Sequence, residues 1–379
     1  YYSYVLGGST PSVITGAAPS SMPNPELKWE KTAQVNIGFD ASLFNNFLTI
    51  GLDLYDSNTY DLLLNVPIPR TTGYATRLEN IGKVNNKGIE FNFGTNYTRR
   101  DFTWGTYFNI SRNINKVKEL GPGNAPIIQS GSVGNAYFIT QVGDPIGSYY
   151  LPVVEGVFMN QAEVDASLHH QDSPANYGFQ DSKPGDFKFK DVNGDGILDI
   201  SDTDRAVVGN YAPDFTYGFG TSLGWKDLDF NMAFQGVYGN EILNLSRRYF
   251  YNHEGNMNNY KGALNRWVSE SEPGSGMNVR ANRVSKGQNG TTSTWHVEDG
   301  SYLRIKNITL GYTLPKSLMS RLYVENLRIY TSVQNPFTFT KYNGYNPEVS
   351  NRSSATTSGE DYGMYPLART VTLGLNIQF

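Results

Sequence analysis

Apolar and polar residues alternate one by one through several stretches of the chain, and most of these stretches are paired across a short polar turn. In the first, Ala33, Val35, Ile37, Phe39, Ala41 and Leu43 alternate with Gln34, Asn36, Gly38, Asp40 and Ser42. Successive strand side chains point to opposite faces, so this spacing predicts a strand with one apolar and one polar side. A turn at Asn45-Asn46 leads to a partner with Leu48, Ile50, Leu52 and Leu54 on one face and Thr49, Gly51, Asp53 and Tyr55 on the other. After an irregular stretch to about Asn80 the unit recurs. Ile89, Phe91, Phe93, Thr95 and Tyr97 turn at Arg99-Arg100-Asp101 and return through Phe102, Trp104, Thr106, Phe108 and Ile110. A third pair carries Phe215, Tyr217, Phe219, Thr221, Leu223 and Trp225 to a Lys226-Asp227 turn and back through Leu228, Phe230, Met232 and Phe234. The last group runs over 302–314, turns at Pro315-Lys316, returns over 327–333 and ends with 370–379. Within 302–314 the parity slips between Ile305 and Ile308, which predicts a β-bulge.

The final strand places Val371, Leu373, Leu375, Ile377 and Phe379 on one face and Thr372, Gly374, Asn376 and Gln378 on the other. An exposed aromatic at a chain end invites edge pairing in water, but suits the aromatic girdle of a barrel in lipid. The order of Thr372, Gly374, Ile377 and Phe379 also resembles the terminal signal by which outer-membrane barrel proteins are recognised for assembly. Tight turns follow one strand of each pair, and long loops follow the other. That asymmetry predicts an all-β fold: an antiparallel transmembrane β-barrel with short periplasmic turns and long extracellular loops. Roughly ten to twelve strands are legible, about half of a large barrel. The competing reading is a soluble β-sandwich, a secreted calcium-stabilised binding or adhesion protein, which has less reason to keep its connections so unequal.

Composition narrows the choice. The 379 residues include 39 Gly, 26 Tyr and 20 Phe, and the mean hydropathy is -0.44. No apolar run approaches the roughly 20 residues of a membrane helix, whereas a barrel needs only alternation. The net charge of -4 gives no nucleic-acid signal, and the absence of Cys removes disulfides and thiol chemistry. The chain opens at Tyr1-Tyr2-Ser3-Tyr4 without a leader, so it is expected to be the C-terminal part of a longer exported chain.

One motif carries explicit chemistry. Asp191, Asn193, Asp195, Ile197 through its carbonyl, Asp199 and Asp202 fall at the positions of a calcium loop, with Gly196 at the sharp turn. Asp202 replaces the usual Glu with a shorter arm. Packed carboxylates repel unless a cation sits among them, and many flexible oxygen ligands favour Ca2+ over Mg2+. The alternative is a cation-free acidic turn. The motif lies in the long loop over 158–214, expected outside the cell, where an ion would stiffen the loop without catalysing anything. A strand is also expected around 145–158.

Other motifs look chemical without the context they need. Gly220-Thr221-Ser222-Leu223-Gly224 matches a hydrolase elbow, but sits inside an alternating strand instead of a strand-to-helix turn. No catalytic residue is expected. His169, His170, His253 and His296 read as solvated loop residues, and the sequons at Asn96 and Asn109 fall in strands. Tyr249, Phe250, Tyr251, Tyr149 and Tyr150 are candidates for stacking on cargo, against the alternative of loop packing or interface anchoring; Tyr137-Phe138 reads the same way. Asp53, Tyr55, Glu90, Asn92, Asn109, Arg328 and Gln334 are expected to face the lumen.

Five separated phrases then point to a family. Asn24-Pro-Glu-Leu-Lys-Trp-Glu-Lys-Thr, Asn80-Ile-Gly-Lys-Val-Asn-Asn-Lys-Gly-Ile-Glu90, Gly185-Asp-Phe-Lys-Phe-Lys-Asp191-Val-Asn-Gly-Asp-Gly, Asp299-Gly-Ser-Tyr-Leu-Arg-Ile-Lys-Asn-Ile-Thr-Leu-Gly-Tyr and Gly344-Tyr-Asn-Pro-Glu348 resemble the SusC/RagA-type TonB-linked outer-membrane proteins of Bacteroidota. The resemblance covers essentially the whole chain. It implies the C-terminal part of a barrel of roughly 22 strands, importing glycans or peptides with a SusD-like surface lipoprotein. It also implies a plug moved by TonB and proton-motive force. The plug, the TonB-contacting segment and the front strands are not matched by any stretch here.

Overall fold

The computed structural model describes residues 22–74, 76–132, 136–167, 182–251, 253, 257–282, 288–319, 324–349 and 356–379. Among them nine strands form one sheet: β1 (Lys31–Leu43), β2 (Leu48–Tyr60), β3 (Lys83–Arg99), β4 (Phe102–Glu119), β5 (Phe215–Trp225), β6 (Leu228–Tyr238), β7 (Tyr302–Thr313), β8 (Asn326–Thr340) and β9 (Thr370–Gln378). Each pairs antiparallel with the next in chain order. The remaining strands are short and belong to the loops, so the wall has fewer strands than the alternation suggested.

Register aligns the alternating runs into continuous rows. Ala41, Ile50, Phe93, Phe108, Phe219, Phe234, Ile305 and Phe337 lie directly opposite one another from β1 to β8. Because one-residue slips would move every such side chain to the other face, the apolar pattern fixes the register wherever that face must avoid water. The face is uncovered by protein: Val35 is 66% exposed, Phe219 38% and Leu373 82%, with Phe91 half-buried. Among the described residues no second sheet or helix layer packs on it, which removes the sandwich reading. No helix among the described residues is long and apolar enough to cross a membrane. The hydrocarbon crossing falls to the strands.

Turns follow the expected asymmetry. Arg100-Asp101 and Lys226-Asp227 are two-residue connections, with Arg100 at φ 53° and Lys226 at φ 52°. Positive φ at such positions matches the turn to the twist of the flanking strands. The turn expected at Pro315-Lys316 is longer: a short helix, Lys316–Met319, intervenes before β8 begins. The predicted bulge is present, because Ile305 pairs with Phe337 whereas Asn307 pairs with Gln334. Skipping Lys306 keeps Leu303 and Ile305, then Ile308 and Leu310, all on the outward face.

The opposite rim carries a body built from the long loops. Its sheets are Ala206–Gly209, Ser148–Leu151, Tyr137–Thr140 and Ile127–Ser130; Val154–Val157 with Phe187–Phe189; and Val297–Asp299, Glu241–Asn244 and Glu360–Asp361. Buried apolar residues gather there. One cluster joins Val157, Phe187, Leu198, Val279 and Trp295, and another joins Phe138, Tyr149, Leu151, Leu243 and Leu245. This segregation follows from the solvent: loop side chains bury against each other away from water, whereas wall side chains face lipid. The strand expected around 145–158 is two strands, Ser148–Leu151 and Val154–Val157.

Candidate functional site: the lumen wall and its loop body

The polar face of the sheet lies opposite the lipid-facing rows and lines the lumen of a barrel. Asp53 lies opposite Glu90, Asn92 opposite Asn109, Tyr55 opposite Gly88, Arg328 opposite Asn376 and Gln334 opposite Asn307. All seven residues expected in the lumen fall on this face. Tyr55 donates its hydroxyl to Asn113 at 2.9 Å, and Asn86 accepts from Asn113 and Asn115 at 3.2 and 2.9 Å. The wall of β2 to β4 is therefore a run of amide and hydroxyl groups. These groups can both donate and accept, which suits polar cargo of either peptide or sugar chemistry.

Farther along the sheet a buried arginine ties loop to wall. Arg304 on β7 is 1% exposed and donates from Nε to Thr338 at 2.9 Å, from Nη2 to Asn346 at 2.9 Å, and to Glu348. Glu348 also accepts from the Tyr302 hydroxyl at 2.8 Å and from Gln235 at 3.1 Å. Burial works against its charge, but the hydrogen bonds from Tyr302 and Arg304 hold the carboxyl below its ordinary range. Arg304 and Glu348 both stand in the motif phrases, yet spacing alone assigned neither a role. Their meeting depends on a fold-back over 44 residues.

The acidic loop is organised by its own backbone. Asp191 accepts from the amides of Gly194 at 2.7 Å and Gly196 at 3.0 Å; Asp195 accepts from Ile197 at 2.8 Å; Asn193 accepts from Asp195 at 2.9 Å. Gly194 and Gly196 have φ 73° and 83°, the left-handed region that the tight turn needs. Asp199 accepts from Ser201 at 3.0 Å. The loop is closed by Asp204 and not by Asp202. Asp202 is exposed, whereas Asp204 is fully buried and accepts from Val192 at 2.7 Å and Asp199 at 2.5 Å. Among the described residues no three acidic or imidazole side chains converge on one point. The oxygens are of the right chemical kind for a hard cation, but they point to amides here.

The aromatic candidates divide. Tyr249 and Phe250 lie on the short helix Arg247–Phe250, with Tyr251 just after it. Phe250 stacks on Tyr260 with centroids 4.6 Å apart, Tyr251 meets the same ring edge-on at 5.6 Å, and Tyr249 lies 5.9 Å from Tyr362. The Tyr260 hydroxyl donates to Tyr345, which is 58% exposed, at 2.9 Å. Burial, and then the bond to Tyr345, push the Tyr260 hydroxyl up to about 12. Tyr149 is different and corrects the expectation for it. Fully buried, it packs against Phe138 at 5.6 Å and donates to the Glu241 carbonyl at 2.8 Å. It offers cargo no surface, and Phe138 is buried with it. Tyr150, its neighbour in the strand, is half-buried opposite Val207.

His296 is likewise no solvated loop residue. It is buried in a short helical turn, its Nδ1 accepts from the Ser293 amide at 3.2 Å, and it meets Trp295 at 5.0 Å. Burial first, then the Arg247 and Arg248 charges, push it down to about 3. His253 is half-buried and also lowered, by burial and Arg266. His169 and His170 lie outside the described residues. Ser222 sits in the middle of β5 opposite Asn231 and Gly105, on a regular strand and not at an elbow. The residues Thr372 and Gly374 face the lumen on β9, opposite Ser332 and Tyr330; Ile377 faces outward opposite Leu327, and Phe379 follows it, 88% exposed, at the short-turn rim.

A sheet apolar outside, polar inside, short-turned on one rim and heavily looped on the other is a partial wall of an outer-membrane β-barrel. Comparison with known families agrees: the description "TonB dependent receptor-like, beta-barrel" matches residues 1–335, and the chain belongs to this family of outer-membrane receptors. It is 37% identical over 377 residues to TonB-dependent receptor P3 of Formosa agariphila, covering 97% of this chain and 36% of that protein. It is 30% identical over 362 residues to TonB-dependent receptor SusC of Bacteroides thetaiotaomicron, covering 94% and 32%. The solved RagAB peptide transporter superposes with a TM-score of 0.75 at 23% identity, covering 100% of this chain and 38% of that one. The chain thus spans about a third of its relatives' length.

Proposed function

We propose that this chain forms part of the wall and the outer mouth of a TonB-dependent importer for glycan or peptide oligomers. A SusD-like lipoprotein would deliver the cargo from the cell surface. The carrying observation is the coupling of a polar lumen wall to a folded loop body through Arg304 and Glu348. That knot gives the mouth a fixed shape above a surface of amides and hydroxyls, so that cargo is matched before it enters. The exposed ring of Tyr345 and the half-buried rings of Tyr249 and Phe250 provide stacking surface for a sugar or an aromatic side chain. The relatives' remaining length would supply the plug and the contact with TonB. No bond-breaking step is required of any residue here.

The loop over 158–214 is proposed to face the cell exterior and to take up Ca2+ as a structural ion through Asp191, Asn193, Asp195, Asp199 and the Ile197 carbonyl. The support is the donor chemistry and the mutual repulsion of the carboxylates.

Uptake tests the proposal. Cells carrying the full-length protein with Arg304→Met and Glu348→Gln should keep a folded barrel, seen as heat-modifiable gel migration, and should import oligosaccharide or peptide mixtures poorly. Undiminished uptake by the double variant would remove the mouth from the mechanism.

A further inference from the structure

The outward face changes chemistry where β3 and β4 approach the long-loop rim. Along β4 the outward residues run Phe108, Ile110, Arg112, Ile114 and Lys116, and register sets Arg112 opposite Ile89, Ile114 opposite Lys87 and Lys116 opposite Asn85. Ile89 and Lys87 keep the phase of Phe91 and Phe93, so these cations share the side of the sheet that meets lipid. Arg112, Lys116, Lys118 and Lys87 are all exposed, and Ile114 among them is 52% exposed. Lys118 is the extra residue of a bulge, skipped between the pairs Val84–Val117 and Lys83–Glu119, and its charge reaches Asp56. Among the described residues only Lys87 of the four holds a carboxylate: Asp56 lies 2.9 Å away, and its other oxygen accepts from Asn85 at 2.6 Å. That acid is taken, which leaves Arg112, Lys116 and Lys118 to an outside anion.

Two aromatic belts mark the depth of this patch. Near the short turns Tyr97 lies opposite Trp104, and Trp104 opposite Leu223. At the other end Phe215 stacks on Tyr238 with centroids 4.9 Å apart. Phe215 precedes Thr216, whose partner on β4 is Ser111, so that stack stands level with Arg112. Aromatic side chains gather at the two membrane interfaces of a barrel. From Trp104 to Arg112 is roughly 26 Å of strand, or about 20 Å along the membrane normal at the usual tilt, so Ile114, Lys116 and Lys118 continue to headgroup depth. There β5 and β6 present rings, whereas β3 and β4 present cations. Both basic strands lie inside the sheet, whose edges are β1 and β9, so strands added at either edge would leave this face to the membrane.

We propose that Arg112, Lys116 and Lys118 bind the phosphate-bearing headgroup of a glycolipid in the outer leaflet, with its acyl chains over Ile110, Phe108 and Phe91. Guanidinium and ammonium groups bond phosphate oxygens directly, and their charge draws anionic lipid to the surface. Arg112 and Lys116 are roughly 13 Å apart along the strand. That span suits a headgroup broader than one phosphodiester, an acylated disaccharide bearing phosphate. Ile114, between the cations, rests on the boundary of acyl chain and sugar.

Native mass spectrometry of the full-length protein in detergent tests the site, with lipid A carrying two phosphates and its dephosphorylated form as probes. The wild type should retain the phosphorylated lipid about tenfold better. Arg112→Gln with Lys116→Gln should remove that preference, and Arg112→Lys should keep part of it. Arg99→Gln neutralises an exposed outward cation at the opposite rim and should behave as the wild type. Folding is checked by heat-modifiable migration, and Lys116→Gln alone, expected to lessen the preference, is read if the double variant fails to fold. A preference that survives these changes, or that Arg99→Gln loses equally, would overturn the site. The proposal rests on the long-loop rim facing the cell exterior, and Ile197→Cys, at an exposed position of the long loop, reads that separately. A membrane-impermeant maleimide should label it in intact cells above the level of the unsubstituted protein. Absent labelling would overturn the outer-leaflet assignment, whereas labelling without a phosphate preference would overturn the binding site alone.

Discussion

Arg328 on β8 reaches across β7 to Asp229 on β6, its Nε donating to Oδ1 at 2.8 Å. The strand between them carries Gly311 at the crossing point, opposite both Asp229 and Tyr330. A Cβ there would lie 2.4 Å from the guanidinium and 2.4 Å from the carboxylate. The absent side chain is what lets an ion pair span three strands on the lumen face.

Gly311→Val should therefore part the pair and crowd the wall, at a cost of about 1–3 kcal/mol, most of it steric. The ion pair itself, part-exposed, contributes less than about 1 kcal/mol. The temperature at which the folded gel band disappears should fall more for Gly311→Val than for Arg328→Met.

Parity along one strand predicts opposite outcomes for the same substitution. Phe219→Lys puts an ammonium into hydrocarbon and should cost about 2–4 kcal/mol near the bilayer midplane, whereas Ser222→Lys points into the lumen and should fold normally. Folded yield after refolding into detergent or lipid measures both. Equal yields would mean that the apolar face does not meet lipid.

Tyr149 should behave as a core residue. Tyr149→Phe removes the bonds to the Glu241 and Gly359 carbonyls and should cost about 1 kcal/mol, and Tyr149→Ala about 3–5 kcal/mol. Hydrogen exchange should quicken in the paired strand Ala206–Gly209, while cargo affinity of the phenylalanine variant stays unchanged.

Acid should loosen the loop body through His296. The buried ring stays neutral down to about 3, whereas an unfolded histidine takes up its proton near 6.5. Because only the unfolded state binds the proton between these values, stability is intact above about 6.5. It falls by about 1.4 kcal/mol per pH unit below that. Limited proteolysis around 293–298 should accelerate between pH 7.5 and 5, and His296→Gln should flatten that dependence.

Calcium and the closing acid should separate in the loop around Asp195. Chelation should speed proteolysis there in the wild type, and Asp191→Asn should abolish the difference between chelated and calcium-loaded protein. Asp204→Asn should open the loop under both conditions, because Val192 and Asp199 donate to different carboxylate oxygens and the amide keeps only one acceptor, turning an NH2 toward the other N–H. Cutting that ignores calcium in the wild type would make the loop a cation-free turn.

The alternation of Val35, Phe91, Phe219 and Leu373 with polar neighbours determined the strands, their outward face and the rim on which each turn falls. A period of two is a property of adjacent residues, and every pairing in the wall joins strands consecutive in the sheet. Even the bulge at Lys306 was legible, because a parity slip is local. Tertiary structure alone decided that Asp204 closes the acidic loop in place of Asp202, that Tyr149 and His296 are core and not surface, and that Arg304 holds Glu348. It also shortened the wall to nine described strands by assigning the remaining ones to the loop body. Loop side chains bury against partners tens to hundreds of residues away, and no spacing along the chain records which partner that is.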